Sequence, residues 1–404
     1  MYLFPALVCL LSFPFLVACG SGPEQRAVSK VKTPQTSVAV MTERADAPKR
    51  AAQSRADSEF IRVSAPKPTQ GYAGARVHGD YAGYASAERF VERMAREEGF
   101  DPSEVADVLS RVERKQWIID FVTRPKSKAA TGPTGYWTRY RAKFLTNDNI
   151  AGGSRFWSRY EQTLNRAYHK YGVPPEYVVA IIGVETRYGG YMGKHRIVDA
   201  LATLAFDFPR RSEFFTDELA AFLVMARDEG FDPFGPSGSY AGAMGYGQFM
   251  PSSFHKWAVD FDGDGRRDLW NPVDAIGSVA NYFASHGWRT GEPVTLRARV
   301  SGSAASAMKT GYDTSYSLDV LSGRGISPAG SVQGDDEVSL IQLDAVGGYQ
   351  YWLGLDNFYV ITRYNHSSYY AMAVHQLAES VRSRHGVGLG TRLSERVRDA
   401  GQAL

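Results

Sequence analysis

Cysteine is almost absent from this chain of 404 residues, which has only Cys9 and Cys19. Every position after Cys19 lacks a thiol, so that long remainder holds neither an internal disulfide nor a catalytic cysteine. The eight histidines include no pair at metal-ligand spacing, and no serine lies in the glycine-flanked pattern of a nucleophile elbow. These absences disfavour metal-dependent hydrolysis and acyl transfer.

An excess of charge of one sign is also missing. The formal net charge is +3 at pH 7, and basic side chains are scattered among acidic ones. A protein that binds nucleic acid normally has a clustered basic surface, so we expect no nucleic-acid partner. Contents of 44% hydrophobic and 22% charged residues are ordinary for a soluble globular protein, and the length allows two or three subdomains.

A long uncharged apolar run, LFPALVCLLSFPFLVAC, lies at the N-terminus and ends at Cys19. Its last four residues, Leu16-Val17-Ala18-Cys19, resemble the lipobox of bacterial lipoproteins. The resemblance implies a signal peptide over 1–18 and a lipid on Cys19. A plain secretory signal or a transmembrane anchor is the alternative, and the absence of Lys or Arg before Cys19 makes the signal atypical.

The segment after Cys19 predicts a tether. Residues 20 to about 79 are rich in Ala, Ser, Pro, Thr, Lys and Arg and contain few large apolar residues. Such a composition cannot bury enough apolar surface to fold. We therefore expect residues 19–79 to form the lipidated cysteine and a disordered linker.

Helical periodicity dominates from about residue 80 to residue 290. Segment 86–112 predicts two amphipathic helices, of which the second begins at Asp101-Pro102-Ser103. A further helix should begin at Pro174-Pro175 and end at the double glycine Gly189-Gly190. Other helices are expected over 155–172, 212–230 and 271–288.

The pattern changes after Pro293. Short segments of alternating polarity, separated by Gly, Ser and Asp, predict a small β-sheet before a last helix over 367–386. The fold class is therefore mainly α, or α+β. The strands are expected over 294–302, 315–323, 337–345, 349–355 and 358–364.

One glutamate stands near the end of the apolar stretch VVAIIGVETRYGG. At helical period, Glu185 continues the face of Val178 and Ile181, which is normally buried. Either the carboxylate turns out at the helix end or pairs with a cation such as Arg187, or desolvation keeps it protonated as a general acid. The local pattern leaves both interpretations open.

The segment DFDGDGRRDLWNPVD has the pattern of a calcium loop. Asp260, Asp262 and Asp264 occupy positions 1, 3 and 5, and Gly265 at position 6 permits the sharp turn. The alternative is a solvated turn without metal. Because no disulfide is available, we expect such an ion to stabilise the fold rather than to take part in chemistry.

The second half of this loop departs from an ordinary EF-hand. The next ligand should be the backbone carbonyl of Arg266, at position 7. Position 12, normally glutamate, is Asn271, and the nearest later carboxylate belongs to Asp274. The loop is therefore longer than the standard one.

Polar groups in a glycine-dense segment, GSYAGAMGYGQFMPSSF, suit the lining of a cleft. Its spacing does not match a nucleotide-binding fingerprint, but its glycines allow close approach of a ligand to the backbone. Ser239, Tyr240 and Gln248 can direct polar groups into such a cleft. Tyrosines elsewhere fit either the core or a groove in which aromatic faces stack on sugar rings.

In combination, four motifs resemble the membrane-bound lytic murein transglycosylase B family over residues 80 to 385. They are VETRYGG, AGAMGYGQFMPSSF, DFDGDGRRDLWNPVDAIGSVANYF and RYNHSSYYAMAV. The resemblance implies a lysozyme-like helical core with a helical N-terminal subdomain and a small inserted β subdomain. The implied boundaries are 80–165 for the helical subdomain, 166–292 for the catalytic core with its EF-hand-like loop 260–274, 293–360 for the β subdomain and 361–404 for a C-terminal part that returns to the core.

The resemblance also implies roles for single residues. Glu185 matches the family's catalytic acid and base. Substrate-binding positions match Ser239, Gln248, Tyr364, Asn365, Tyr140, Tyr282 and Tyr370. Ca²⁺ ligands match Asp260, Asp262, Asp264, Arg266 through its carbonyl, and Asp274, and no organic cofactor is expected.

The implied reaction cleaves the β-1,4 bond between N-acetylmuramic acid and N-acetylglucosamine and leaves 1,6-anhydro ends. The implied partners are peptidoglycan glycan strands and, through Cys19, the periplasmic side of the outer membrane, with the protein as a monomer. A lysozyme-type hydrolase and a non-catalytic peptidoglycan-binding lipoprotein are the alternatives. A desolvated acid disfavours the second, because a pure binding module does not require one.

Overall fold

The described part of the chain begins within the predicted tether. The structure, a computed structural model, describes residues 76–125, 133–331 and 337–402. The predicted signal peptide and Cys19 lie outside the described residues. Val77 is already buried, and a single turn of 3-10 helix over Gly79–Tyr81 buries Tyr81 completely, so the folded part starts slightly before the expected boundary.

Helices form most of the described chain. Before the sheet they are α1 (Ala85–Glu98), α2 (Pro102–Arg111), α3 (Gln116–Val122), α4 (Tyr136–Arg141), α5 (Asn147–Arg159), α6 (Glu161–Tyr171), α7 (Pro175–Thr186), α8 (Ile197–Asp207), α9 (Ser212–Glu229), α10 (Pro251–Trp257) and α11 (Pro272–Ser285). Within and after the sheet they are α12 (Leu318–Ser322), α13 (Asp356–Tyr364) and α14 (Ser368–Gln402). The expected mainly helical fold class is confirmed.

Several predicted helix boundaries are confirmed by local chemistry. Asp101 caps α2, since its carboxylate accepts a hydrogen bond of 2.7 Å from the Ser103 N–H, and Pro102 occupies the first turn. Helix α7 starts at Pro175, as expected. Its predicted end is wrong by a few residues, because the chain turns left-handed at Arg187 and Tyr188, before the double glycine.

The small sheet has five antiparallel strands in the order β4-β6-β7-β3-β5. They are β3 (Thr295–Val300), β4 (Tyr316–Ser317), β5 (Ile326–Pro328), β6 (Glu337–Ala345) and β7 (Gly348–Gly354). A separate two-stranded ladder pairs β1 (His195–Arg196) with β2 (Ser237–Gly238). The predicted sheet is thereby confirmed over three of its five segments.

Two predicted strands are wrong. Segment 315–323 contributes only Tyr316–Ser317 to the sheet and continues as helix α12. Segment 358–364 is helical, as part of α13. The buried Asn357 fixes this helix, since its side chain accepts from the Arg289 N–H at 2.8 Å and donates to the carbonyls of Arg289 and Glu292.

Helix α7 is the centre of the helical core. Its residues Val178 to Val184 are almost completely buried, and α14, α5 and α11 pack around it. A helix that is apolar on all sides is a central helix, because it has no solvent face. None of the helices in the described ranges has both the length and the apolar composition needed to cross a bilayer. The subdomain boundaries implied by the sequence remain a prediction.

Candidate active site

Glu185 lies in the last turn of the buried helix α7 and is itself half-buried. Within the described residues it forms no ion pair with Lys, Arg or His. Arg187 is left-handed at φ 49°, and its guanidinium lies 5.5 Å from the centre of the Tyr191 ring. The interpretation in which Arg187 neutralises the carboxylate is therefore wrong.

A tyrosine from another helix holds the Glu185 carboxyl group. The hydroxyl of Tyr370, a fully buried residue in the first turn of α14, donates a hydrogen bond of 2.5 Å to Glu185 Oε1. Burial raises the pKa of Glu185 to about 7, and the hydrogen bond from Tyr370 opposes that rise. The group therefore exchanges a proton near neutral pH.

Two more tyrosines continue from Tyr370. The ring of Tyr364 lies nearly parallel to that of Tyr370, with centroids 6.5 Å apart, and Tyr282 meets Tyr364 edge-on at 4.8 Å. The hydroxyl of Tyr364 donates to the Gly247 carbonyl at 2.5 Å, and that of Tyr282 donates to the Arg363 carbonyl at 2.6 Å. Burial and the nearby Glu185 carboxylate hold the pKa of Tyr364 well above its ordinary value, so its hydroxyl stays protonated.

Thr186 attaches the catalytic end of α7 to the glycine-rich loop. Its buried hydroxyl lies 3.0 Å from the Tyr246 carbonyl and accepts from the Gly189 N–H at 3.1 Å. Glycine is required at 189, where φ is 89° and a Cβ would lie 2.4 Å from the Tyr246 ring. These contacts therefore connect the end of the helix that carries Glu185 directly to the glycine-rich loop.

The glycine-rich loop is a tight structure built on its own backbone. Met244 bridges both Gly238 and Phe249, and the Ser239 hydroxyl accepts from the N–H groups of Ala241 and Ala243. Gln248 has a left-handed backbone at φ 53°, and its amide donates to the carbonyls of Met192 and Gly245. Both polar side chains therefore shape the loop in this structure.

A pocket of about 150 Å³ brings together five of the predicted cleft residues, namely Tyr240, Gln248, Tyr282, Tyr364 and Asn365. The wall of this pocket also contains Arg211 and Phe214, which were not predicted from the sequence. Phe214 is 37% exposed, and burial lowers the pKa of Arg211. The available sequence clue was the run PRRSEFF, in which two adjacent phenylalanines cannot both lie on the buried face of a helix.

Tyr140 is in a different aromatic cluster, between α4 and the start of α14. Its ring lies 6.1 Å from those of Tyr136 and Tyr369 and 5.2 Å from that of Phe144. It does not line the pocket that holds Gln248 and Tyr364. Its expected contact with substrate remains a prediction.

The acidic loop brings together three of its four predicted carboxylates. One oxygen each of Asp260, Asp262 and Asp274 lies within 4.8 Å of the others, as ligands of a single cation would. Within the described residues these carboxylates accept backbone and amide hydrogen bonds but form no ion pair with a Lys or Arg. The residues fit a calcium ion.

Asp264 lies outside this group of three, and its carboxylate instead accepts from the Arg266 N–H at 2.9 Å. Asp274 closes the loop from α11, since it accepts from the N–H groups of Phe261, Asp262 and Asp268. Although Asp274 comes three positions later than the last ligand of an ordinary EF-hand, the fold brings its carboxylate back to the loop.

Comparisons with known proteins show the family of this chain. The model of the family described as Transglycosylase SLT domain matches residues 83–379. The chain is 51% identical over 310 residues to membrane-bound lytic murein transglycosylase B of Escherichia coli K12, covering 76% of this chain and 85% of that protein.

Solved structures give the same result. The Escherichia coli lytic transglycosylase Slt35 in complex with calcium is 50% identical, with a TM-score of 0.73 over 77% of this chain and 97% of that one. SltB3 of Pseudomonas aeruginosa in complex with NAG-anhNAM-pentapeptide is 30% identical, with a TM-score of 0.63 over 74% of this chain and 79% of that one. The chain therefore belongs to the family of lytic murein transglycosylases, within the Transglycosylase SLT domain family.

Proposed function

We propose that this chain is a peptidoglycan lytic transglycosylase in which Glu185 is the single acid and base. The observation that carries the proposal is the contact between Tyr370 and a half-buried Glu185 whose pKa lies near 7. A group that must first give and then take a proton works best when its pKa is near the working pH. A glycan whose own N-acetyl group serves as nucleophile does not require a second carboxylate.

In the first step, Glu185 donates its proton to the oxygen that joins C1 of N-acetylmuramic acid to N-acetylglucosamine. The C1–O bond breaks, and the acetamido oxygen of the muramic acid bonds to C1. Oε1 already accepts a hydrogen bond from Tyr370, so the transferred proton leaves from Oε2. Tyr370 thus sets which oxygen faces the substrate, and it stabilises the carboxylate that forms.

In the second step, the Glu185 carboxylate takes the proton of the C6 hydroxyl of the same sugar. The C6 oxygen bonds to C1, the bond to the acetamido oxygen breaks, and the 1,6-anhydro ring closes. Glu185 is again protonated, so the cycle is complete without water. A bound hydroxyl has the advantage over water because its effective molarity reaches about 10⁵ M or more.

The pocket that contains Tyr364 would supply the positioning, since Tyr364 stacks on Tyr370, the partner of Glu185. Tyr282, Tyr364 and Asn365 would hold the sugar, and Ser239 and Gln248 would fix the loop that borders it. Sugar rings present C–H faces that pack on aromatic rings, which the wall of the pocket provides. A lysozyme-type hydrolase on the same cleft is the alternative.

We infer that a calcium ion stabilises the acidic loop. Asp260, Asp262 and Asp274 converge, and Asp264 and the Arg266 carbonyl complete the predicted ligand set. A solved relative is in complex with calcium. The ion would connect the loop to α11 rather than polarise the substrate, because its ligands belong to the loop and α11 and not to the pocket that holds Tyr364.

The relative in Escherichia coli is named as membrane-bound, which supports a location on the periplasmic side of the outer membrane for this chain. Cys19 would carry the lipid anchor, and the glycan strands of peptidoglycan would be the partner, as for the relative in complex with NAG-anhNAM-pentapeptide. We expect the protein to act as a monomer.

The products decide between transglycosylase and hydrolase. Purified peptidoglycan is digested with the enzyme, and the muropeptides are analysed by mass before and after borohydride treatment. A transglycosylase leaves anhydro ends, which are lighter by one water and resist reduction. Chiefly reducible muramic acid ends would make the enzyme a hydrolase and would contradict the proposed second step.

A further inference from the structure

Trp117 exposes an indole ring that the proposed reaction does not use. It lies on α3 and is 43% exposed, whereas the other six tryptophans, all within the described residues, are buried or half-buried. Exposing so large an apolar side chain forgoes the stabilisation that its burial would contribute. Since single exposed apolar side chains are normal on protein surfaces, the surroundings of Trp117 decide whether it serves a ligand.

The ring of Trp117 is fixed in place by its neighbours. The imidazole of His195 lies against it with centroids 4.8 Å apart, and Tyr240 meets it edge-on at 6.5 Å. Burial and the nearby Lys194 and Lys115 lower the pKa of His195, so the imidazole is neutral at physiological pH. The indole therefore has a neutral imidazole and a phenol ring as neighbours on one side.

This support is part of the same framework as the glycine-rich loop. His195 belongs to β1 and pairs with Gly238 of β2, which directly precedes Ser239. A Cβ at Gly238 would lie 2.3 Å from the Ala243 carbonyl, so the strand packs tightly against the loop. Trp117 is thus connected, through His195, to the loop that borders the pocket of Gln248 and Tyr364.

An aromatic path joins Trp117 to that pocket. Phe121 follows Trp117 by one helical turn and meets Tyr240 at 5.0 Å, so Tyr240 contacts both rings of α3. Tyr240 and Val122 also line the pocket that contains Gln248 and Tyr364. The exposed indole is therefore continuous with the proposed cleft rather than an isolated surface residue.

We propose that Trp117 forms a distal saccharide subsite, on which a pyranose ring of the glycan strand stacks beyond the sugars at the cleavage point. This inference rests on the proposed function, because it takes the occupant from the polymer that the cleft binds. The stacked ring adds binding energy only for strands long enough to reach it. The subsite would therefore favour long glycan strands over short fragments.

The test compares Trp117→Ala and Trp117→Phe with the wild-type enzyme on peptide-free glycan strands. Each is measured on long strands and on the shortest fragment that the enzyme cleaves. Trp117→Ala should raise KM for long strands about tenfold and leave kcat unchanged, in keeping with the loss of one well-packed aromatic contact. Trp117→Phe should recover most of that loss, and the shortest fragment should show no change in either variant.

Tyr168→Ala is the matched control, since Tyr168 is a comparably exposed aromatic residue whose ring contacts His169 on α6. It should leave KM unchanged at every strand length. An equal loss for Trp117→Ala on both substrates, or no loss at all, would overturn the subsite. The same measurement is repeated on strands that retain their stem peptides. A loss seen only on those strands would assign Trp117 to the peptide and also overturn the subsite.

The outcome is independent of the product analysis. If the wild-type enzyme released reducible ends, the proposed second step would fail, while the dependence of KM on strand length would still test Trp117. Conversely, anhydro products from both long and short strands, with the same KM for the wild-type enzyme and Trp117→Ala, would retain the mechanism and reject the subsite.

Discussion

The hydroxyl of Tyr370 donates a 2.5 Å hydrogen bond to Oε1 of Glu185, which joins the first turn of α14 to the last turn of α7 across 185 positions of sequence. Burial favours the protonated carboxyl group, and this hydrogen bond favours the carboxylate. The balance sets the pKa of Glu185 at about 7.

Glu185→Gln should lower turnover of peptidoglycan by about 10³-fold or more, because the amide has nearly the same volume but no transferable proton. Release of muropeptides measures the loss. Binding to purified sacculi and the circular dichroism spectrum should stay as in the wild-type protein. Activity near the wild-type level would remove Glu185 from the mechanism.

The same substitution should make the protein more stable at alkaline pH. The carboxyl pKa rises from 4.5 in the unfolded chain to about 7 in the folded one, so the folded state loses stability as pH rises through that window. Above pH 7, Glu185→Gln should therefore gain about 1 to 3 kcal/mol in the free energy of unfolding, allowing for the partial exposure of the side chain. Denaturant titrations at pH 8 and near pH 4.5 measure the gain, which should vanish at the lower pH.

Tyr370→Phe should move the alkaline limit of activity to higher pH. The hydrogen bond lowers the pKa of Glu185, so its removal raises that pKa and keeps the acid protonated over a wider range. The profile of kcat/KM against pH measures the shift. Tyr282→Phe serves as the control, since its hydroxyl donates to the Arg363 carbonyl, and its alkaline limit should match that of the wild-type enzyme. A shift toward lower pH in Tyr370→Phe would contradict the assignment.

Calcium should stabilise the protein more than it activates it. Calcium at about one hundred times its Kd should add about 2.7 kcal/mol to the free energy of unfolding. Asp262→Asn should abolish this gain, measured as the rise in Tm on adding calcium after chelation, while activity at moderate temperature falls less. Asp264→Asn is the informative comparison, because Asp264 lies outside the three converging carboxylates. If calcium raises the Tm of Asp264→Asn as much as that of the wild-type protein, Asp264 is not a ligand. If calcium does not raise the Tm of the wild-type protein, the site is rejected.

Local patterns in the sequence predicted much of the helical core. The starts of α2 and α7 depend on residues close together in the chain, namely Asp101-Pro102 and Pro174-Pro175. Such helix starts can be predicted from sequence neighbours alone. The placement of Glu185 at the end of a buried helix was likewise readable from its apolar spacing. The convergence of Asp260 and Asp262 follows from the calcium-loop pattern in the same way.

Segment 358–364 shows where local pattern fails. Its aromatic and β-branched residues are typical of a strand, but Asn357 ties the segment to the chain at Arg289 and Glu292, and Phe358 and Ile361 enter the core from a helix. The end of α7 was mispredicted for a similar reason. Tyr188 packs against Gly183, where an added Cβ would lie 2.5 Å from the Tyr188 hydroxyl oxygen. Long-range packing overrode local preference in both places.

The sequence by itself determined the helical class, the calcium-loop pattern and the identity of the one candidate acid, because each depends on residues close together in the chain. Only the tertiary structure decided the partner of that acid, since the sequence predicted Tyr370 as a substrate-binding residue and not as the donor to Glu185. The tertiary structure also places the exposed indole of Trp117 beside the loop of Ser239, because Trp117 contacts His195 and His195 pairs with Gly238. Such contacts depend on how separate elements pack, and that packing is a property of the whole core.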